Sequence, residues 1–343
     1  MKKLTVWMYK FIQSLNFKLL YKGYEGVPTQ PERYIDWYHA LGYEIMKHDG
    51  VRNHAYRQAI ACKAKNKTIV EIGTGDSLFL TRMCVESGAK KVYAIESDAR
   101  SYASSKQSIE RLNLEEYITL YEGWSFDISL PEKCDLLVHE LVGCVGGDEG
   151  MIAIVEDAKR RFLQPNAEFI PNRCISKIAP CAPFQISIFD KIANKILGMG
   201  EERVGKNCST ATVNCYHVSN FPPRLLIARP QAIENILFAE EAVLKEEKAI
   251  EFAIDRPAQF NGVVAYIELF VDRDRVINTL YQKTNWSVIY LKLFATPIPV
   301  DRGDTIEVLT QRDVSTTNAE YHFCARVKRS TGGSIVSPRV RLT

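Results

Sequence analysis

The first half of the chain alternates between short apolar runs and stretches whose apolar residues recur at helical spacing. The apolar runs are short enough for strands buried on both faces of a parallel sheet, and the helical stretches are long enough to return the chain between them. The pattern therefore predicts an α/β domain with a doubly wound, Rossmann-like parallel sheet. The predicted elements are, in order, the strand Thr68–Gly73, the helix Ser77–Ser87, the strand Lys91–Ser97, the helix Asp98–Leu112, the strands Ile118–Glu122 and Cys134–Glu140, and the helix Met151–Phe162.

The pattern changes after the segment Leu163–Pro171, where short β-rich runs separated by prolines replace the alternation. The clearest runs are Gly262–Val271, Ser287–Phe294 and Thr305–Thr310. Prolines and short strands are typical of antiparallel structure, so residues 172–343 are predicted to form a second, mostly antiparallel domain.

One stretch inside this second half has a helical pattern, with Phe189, Ile192, Ile196 and Leu197 on one face. We interpret this helix-like interruption as a candidate arm that packs on another subunit.

The amino-terminal residues 1–33 carry five lysines before the first acidic residue, Glu25, with apolar residues at helical spacing among them. This pattern predicts a basic amphipathic helix that packs against the body of the protein, with contact to a membrane surface as the less favoured alternative. The apolar residues are not continuous and no small-residue cleavage site follows, so no secretory signal is expected. No other run is long enough to predict a membrane-spanning helix.

Composition and charge exclude several classes of protein. The 343 residues include nine cysteines, none in a Cys-x-x-Cys pair, and six histidines without metal-ligand spacing. Such cysteines are typical of free thiols in a reducing compartment, so a cytoplasmic, metal-free protein is predicted. The formal net charge of +3 is too small and too evenly spread to indicate nucleic-acid binding.

A glycine-rich loop follows the strand that ends near Glu140, and a second glutamate, Glu149, lies nine positions further on. Two carboxylates at the carboxyl end of a parallel strand repel each other unless a cation lies between them, and a planar guanidinium matches such a pair well. The spacing therefore predicts a guanidinium-binding pair. The alternative is that Glu149 only stabilises the start of the helix Met151–Phe162.

The first predicted strand ends in a turn that contains Gly73 and Gly75, and the second ends at Glu96. A glycine turn lets a ligand approach the backbone, and an acidic residue about 20 positions later can accept both hydroxyls of a ribose. A dinucleotide site would require a third glycine where Leu78 stands. The site therefore favours an adenosine without a diphosphate, and S-adenosylmethionine is the predicted cofactor.

Taken together, these segments resemble the protein arginine methyltransferase family over nearly the whole chain. The motifs are Tyr34-Ile-Asp-Trp-Tyr38, Met46-Lys-His-Asp49-Gly-Val-Arg52, the glycine turn with Glu96, the glutamate pair, and Lys283-Thr284-Asn285-Trp286 followed by Pro299-Val-Asp-Arg-Gly-Asp304. The resemblance implies a Rossmann-like domain over residues 34–171, with helices that close over the cofactor, followed by a β-barrel domain over residues 172–343.

The resemblance also implies roles for individual residues. Arg52 would pair with the carboxylate of the cofactor, Tyr34 and Tyr38 would line the lid and the arginine channel, with Tyr38 also at the cofactor, and Trp286 would form a wall of that channel. Large aromatic residues usually bury area, so a packing role for Trp286 is an equal alternative. The family dimerises through an arm in its barrel, which implies a homodimer, with about residues 184–215 as the corresponding arm.

Four positions depart from the family pattern or leave it open. Ser77 stands where the family has glycine, and Asn285 stands where it has a histidine that pairs with the upstream aspartate, here Asp49. Met46 and Met151 lie where side-chain bulk sets the number of methyl groups added in the asymmetric branch of the family, yet the sequence Glu140-Leu-Val-Gly143 is closest to the symmetric-dimethylating branch. The type of product therefore stays open.

The predicted function is methylation of the guanidinium of arginine, with Glu140 and Glu149 as catalytic residues. The acceptor is either a peptide or protein, or free arginine or a similar metabolite. The alternative function is a non-catalytic scaffold that keeps the methyltransferase fold.

Overall fold

The computed structural model describes residues 46–187, 190, 191, 194, 201–203 and 212–342, with the backbone alone at 201–203 and 212–214. The predictions for the helix at 1–33, for Tyr34 and Tyr38, and for most of the arm at 184–215 lie outside these residues. From Gly50 onward the chain forms one compact unit. In the described part of the chain, no helix has the length and apolarity needed to cross a membrane.

Residues 50–170 contain the predicted parallel sheet. Its five strands are β1 (Thr68–Ile72), β2 (Lys91–Glu96), β3 (Ile118–Glu122), β4 (Cys134–His139) and β5 (Leu163–Ile170), which lie in the order β3-β2-β1-β4-β5. The helices of this region are α1 (Gly50–Lys63), α2 (Phe79–Glu86), α3 (Ala99–Leu112) and α4 (Met151–Phe162). All five residues of β1 are buried, which explains why its sequence does not alternate between apolar and exposed polar residues, although it includes the buried Glu71.

The strand order places a switch point between β1 and β4. The chain runs outward from β1 through β2 to β3 and then returns to add β4 on the other side of β1. In open α/β sheets, the crevice beside the carboxyl ends of such strands is the usual position of a ligand. Ile72 of β1 lies opposite Ile95 of β2 and His139 of β4. The residues that follow these three in the chain are Gly73, Glu96 and Glu140. They therefore leave the sheet side by side.

The helix boundaries follow local side-chain chemistry. The Asp98 carboxylate accepts a hydrogen bond of 2.8 Å from the Ser101 amide and caps α3, which begins one residue after the predicted start. Helix α2 begins at Phe79 rather than at the predicted Ser77, because Leu78 has a left-handed backbone with φ of 53°. Helix α4 has the predicted bounds.

The described residues between 173 and 342 form mainly antiparallel sheets, as the sequence pattern predicts. The strands are β6 (Arg173–Cys181), β7 (Glu201–Arg203), β8 (Thr212–Val218), β9 (Gln231–Leu237), β10 (Lys245–Ala253), β11 (Ala258–Phe260), β12 (Gly262–Phe270), β13 (Val276–Asn278), β14 (Val288–Lys292), β15 (Ile298–Val300), β16 (Thr305–Asp313), β17 (Glu320–Lys328), β18 (Ser334–Val336) and β19 (Val340–Leu342). A seven-stranded sheet has the order β7-β8-β14-β12-β6-β9 with β13 beside β12, a second sheet has the order β10-β16-β17-β18 with β19 beside β17, and β11 pairs with β15.

One continuous hydrophobic core joins the two halves. Buried residues from the parallel sheet and its helices, such as Leu137 and Ile152, belong to the same cluster as Leu269 and Phe323 of the antiparallel sheets. Because burial of apolar area is the main stabilising term, the two halves are held in a fixed relation. The loop after β4 therefore lies against the antiparallel half.

Candidate active site

The glycine turn after β1 passes close to neighbouring backbone. Gly73 and Gly75 have φ angles of +78° and +70°, which side chains other than glycine rarely adopt. The Gly73 amide donates a hydrogen bond of 2.9 Å to the Ile95 carbonyl, and a Cβ at Gly73 would lie 3.1 Å from Leu141 Cδ2. The turn therefore needs glycine for its backbone conformation and for its close approach to the loop after β4.

Glu96 is fixed beside this turn. Its side chain is buried, and its carboxylate accepts hydrogen bonds of 2.7 Å from the Gly75 amide and 2.8 Å from the Asp98 amide. Each carboxylate oxygen has two lone pairs, so both oxygens keep capacity for a further donor. The contact with Gly75 links the two parts of the predicted adenosine site directly.

A second buried carboxylate near the turn, Glu71, was missed by the sequence analysis. It lies within β1 and accepts hydrogen bonds from the hydroxyls of Thr74, at 3.2 Å, and Thr81. Burial raises the pKa of the Glu71 carboxyl from 4.5 to about 7, although both hydroxyls act in the opposite direction. The signal available in the sequence was an ionisable residue inside the apolar run Thr68–Ile72.

Arg52 and Glu140 form an ion pair at the end of β4. Arg52 Nη1 lies 3.2 Å from Glu140 Oε2, with side-chain exposures of 7% and 16%. Helix α1 is anchored there by the Tyr56 hydroxyl, which donates a hydrogen bond of 3.1 Å to the His139 carbonyl. The structure therefore places a guanidinium of the chain itself on the first of the two predicted catalytic carboxylates.

The loop from Glu140 to Glu149, here called the glutamate loop, folds back on itself. The Asp148 amide donates to the Val145 carbonyl at 2.8 Å, and the Val145 amide donates to the Asp148 carboxylate at 3.1 Å. A Cβ at Gly143 would lie 1.5 Å from Asp148 Oδ1, so any larger residue at this position would have to displace the Asp148 side chain. Asp148, which the sequence analysis did not single out, thus stabilises the loop.

The two acidic residues at the end of the loop have perturbed ionisation. Glu149 is exposed to solvent, yet enough protein surrounds it that desolvation raises the pKa of its carboxyl. Burial first, and then the charge of Glu149, raise the pKa of Asp148 well above its usual value. A raised pKa makes Glu149 a better proton acceptor than an ordinary surface carboxylate.

Trp286 holds the glutamate loop from the antiparallel half. It is 6% exposed, and its indole N–H donates a hydrogen bond of 2.7 Å to the Val142 carbonyl. The burial agrees with a packing role, and the role of Trp286 as a wall of the substrate channel stays a prediction.

The two methionines that the sequence analysis singled out lie in different parts of the chain. Met151 is fully buried as the first residue of α4, and the Met46 carbonyl accepts a hydrogen bond of 3.2 Å from the Asp49 amide.

His139, next to Glu140, is enclosed in the core. Its ring lies edge-on to Phe238 with centroids 4.9 Å apart, and burial lowers the pKa of the imidazole to about 3. A neutral, enclosed imidazole is a packing residue. In the described ranges, no cluster of three or more His, Cys, Asp or Glu residues is arranged to hold a metal ion.

In sequence, the chain is similar to curated proteins that are named arginine methyltransferases. No protein-family model matches the chain. The chain is 27% identical over 249 residues to probable histone-arginine methyltransferase 1.4 of Arabidopsis thaliana, which covers 69% of this chain and 47% of the relative. It is 33% identical over 157 residues to protein arginine N-methyltransferase 6 of Danio rerio, which covers 44% of each. The chain thus spans about half the length of the curated relatives it matches.

Solved structures show the same fold. Arabidopsis thaliana protein arginine methyltransferase 10, in an open conformation, superposes with a TM-score of 0.70 at 20% identity, covering 89% of this chain and 98% of that one. The Trypanosoma brucei PRMT1 enzyme-prozyme heterotetrameric complex with AdoHcy gives a TM-score of 0.69 at 16% identity, covering 88% and 98%. The chain is therefore a relative of the protein arginine methyltransferases in sequence, and in fold it has their Rossmann-like domain followed by a β-barrel domain.

Proposed function

We propose that this chain is an S-adenosylmethionine-dependent N-methyltransferase that acts on the guanidinium of arginine. The observation that carries the proposal is the strand register that brings the glycine turn, Glu96 and Glu140 to one edge of the sheet. That arrangement puts an adenosine-binding turn beside a carboxylate that already holds the guanidinium of Arg52. The relatives named as arginine methyltransferases support the same activity.

The residues present fit the cofactor. Gly73 and Gly75 form a turn without side chains at the end of β1, and the Glu96 carboxylate is fixed at the end of β2 with lone pairs that can accept further hydrogen bonds. When bound, S-adenosylmethionine supplies an electrophilic methyl group. Arg52 lies in α1 beside the same edge and would bind the cofactor carboxylate through its planar fork of donors.

Glu140 and Glu149 would hold the substrate guanidinium between them. Their negative charges would draw the positive charge onto two of its nitrogens and leave the lone pair of the third free to attack the methyl carbon. As that N–C bond forms, the bond between the methyl carbon and the cofactor sulfur would break, and its electron pair would stay on the sulfur of the departing thioether. Because a free guanidinium has a pKa of about 12 or above, the proton would leave only after the new N–C bond forms. Glu149, whose carboxyl has a raised pKa, or water would accept it.

Arginine in a protein or peptide is the proposed acceptor, because the relatives include proteins named as histone-arginine methyltransferases. Free arginine is the competing acceptor, and nothing in the comparisons favours a non-catalytic scaffold. We further propose a homodimer formed through the segment 184–215, because the resemblance to the family implies an arm there. The heterotetrameric complex of Trypanosoma brucei PRMT1 supports an oligomer. A cytoplasmic location is proposed from the free-thiol cysteine pattern.

The test is mass spectrometry after incubation with S-adenosylmethionine and either an arginine peptide panel or free arginine. Transfer of methyl groups to arginine by the wild-type protein is expected. Glu140→Gln and Glu149→Gln should keep cofactor binding by calorimetry and lose about 100-fold or more in rate, because each removes a charge that stabilises the transition state. Near-full turnover by either variant would show that the two carboxylates do not bind the substrate guanidinium as proposed.

A further inference from the structure

A buried group of polar side chains in the β-barrel domain lies behind the glutamate loop. Glu234 of β9 accepts hydrogen bonds from Arg312 Nη1 at 2.8 Å, from the Tyr321 hydroxyl at 2.9 Å and from the Ser176 hydroxyl. Glu234 is 1% exposed and Arg312 is 9% exposed. These four residues are called the barrel cluster below. The described part of the active site outside the loop makes no use of them.

A buried ion pair of this kind is weak as a source of stability. The desolvation of both charges offsets much of their attraction, and packed apolar side chains of similar volume often serve a fold equally well. The best-supported use of such a pair is to specify one arrangement of the chain around it. The contacts of the barrel cluster with the rest of the chain therefore indicate its role.

The barrel cluster binds two consecutive amides of the glutamate loop. The Gly146 amide donates a hydrogen bond of 2.9 Å to the Ser176 hydroxyl, and the Gly147 amide donates one of 3.3 Å to Glu234 Oε1. The approach is close, because a Cβ at Gly146 would lie 2.8 Å from Glu234 Oε1 and a Cβ at Gly147 would lie 2.7 Å from the Tyr321 hydroxyl. The two glycines let the loop backbone lie directly on the cluster.

The two ends of the glutamate loop are thus held by different domains. Glu140 directly follows β4 and is paired with Arg52 of the Rossmann-like domain. Glu149 lies two residues after Gly147, whose position is set by the barrel cluster. The relation between the two carboxylates therefore depends on contacts from the β-barrel domain.

We propose that Ser176, Glu234, Arg312 and Tyr321 are positioning residues that set where Glu149 stands relative to Glu140. They touch neither substrate nor cofactor and act only through the loop backbone. This inference rests on the proposed function, because the position of Glu149 relative to Glu140 matters for binding a guanidinium between them. A displacement of about 1 Å at a reacting centre is enough to lower a rate about 100-fold.

The test uses Ser176→Ala and Glu234→Gln in the full-length protein. Ser176→Ala removes only the hydroxyl that accepts from Gly146, and Glu234→Gln keeps the shape of the side chain without its charge. The matched control is Glu307→Gln, since Glu307 lies on the same β16 as Arg312, is also buried, and accepts hydrogen bonds from Arg326 at 3.0 Å and Lys328 at 2.6 Å. If Glu234→Gln does not fold, Ser176→Ala and Tyr321→Phe carry the test.

Three measurements separate positioning from general stability. Amide hydrogen exchange at Gly146 and Gly147 should become faster in both variants, and kcat for an arginine peptide should fall about 10- to 100-fold. The affinity for S-adenosylmethionine, measured by calorimetry, should change by less than about twofold, because the glycine turn and Glu96 are not touched. Glu307→Gln should leave all three measurements at their wild-type values.

Unchanged exchange or unchanged kcat in both variants would overturn the proposal, as would an equal loss of kcat in Glu307→Gln. A wild-type protein that methylates no arginine substrate would instead refute the proposed function. In that case, amide exchange alone would test whether the barrel cluster holds the glutamate loop. Faster exchange at Gly146 and Gly147 in the variants would support this, and exchange at the wild-type rate would refute it.

Discussion

The guanidinium of Arg52 lies 3.2 Å from the carboxylate of Glu140, although the two residues are 88 positions apart in the chain. Sequence reasoning assigned Arg52 to the cofactor and Glu140 to the substrate. Their contact therefore joins the residue predicted to bind the cofactor to one of the two residues predicted to bind the substrate.

Arg52→Lys should weaken cofactor binding. Lysine keeps the charge but has no planar fork of donors, so at least one charge-assisted hydrogen bond is lost. We expect the Kd for S-adenosylmethionine, measured by calorimetry, to rise about tenfold or more, which corresponds to about 1.4 kcal/mol. The control is Arg57→Lys in the same helix, because Arg57 pairs with Glu86 at the exposed surface. Equal affinities for all three proteins would contradict the role of Arg52.

The elements that the sequence predicted well are those fixed by local pattern. The strands β1 and β4 are mostly apolar because nearly all of their residues are buried, and α4 has the predicted bounds because Gly150 precedes it with a left-handed backbone. The start of α2 was placed two residues early, since nothing in the pattern indicates the positive φ of Leu78.

What the sequence did not reveal depends on contacts between distant residues. Glu234 lies 87 positions from Gly147 in the chain, and a single sequence carries no sign that the two meet. The charge on Glu234 is an ordinary feature of a partly exposed strand until the fold buries it beside Arg312. The ion pair of Arg52 is hidden for the same reason.

Gly143→Ala should disturb the glutamate loop. The added Cβ would lie 1.5 Å from Asp148 Oδ1 and 3.1 Å from Glu149 Cγ, so the loop must shift. We expect a loss of about 1–3 kcal/mol in the free energy of unfolding and a fall in kcat of about 10- to 100-fold. Urea unfolding and methyl-transfer kinetics measure the two effects. Gly50→Ala is the control, since a Cβ there meets no atom within 4 Å, and wild-type kcat in Gly143→Ala would show that the loop tolerates the shift.

Trp286→Phe should weaken the support of the same loop from the β-barrel domain. Phenylalanine cannot donate the 2.7 Å hydrogen bond to the Val142 carbonyl, which leaves a buried acceptor without that partner. The expected cost is about 1–3 kcal/mol of unfolding free energy, with a lower kcat and an unchanged cofactor Kd. The control for stability is Trp124→Phe, because Trp124 is 56% exposed and its replacement should change stability by less than about 0.5 kcal/mol. Equal losses in the two variants would mean that the hydrogen bond to the loop contributes nothing.

Glu71 should make the stability of the protein depend on pH. Burial raises the pKa of its carboxyl from 4.5 to about 7, so between these values the folded protein binds a proton that the unfolded chain has released. The free energy of unfolding therefore falls as pH rises from about 4.5 through about 7, by on the order of 3 kcal/mol. Glu71→Gln resembles the protonated carboxyl and should match the wild type near about pH 5 and exceed its stability near about pH 8. Urea unfolding across this range, with the exposed Glu110→Gln as control, measures the difference, and parallel curves for wild type and Glu71→Gln would show that Glu71 titrates normally.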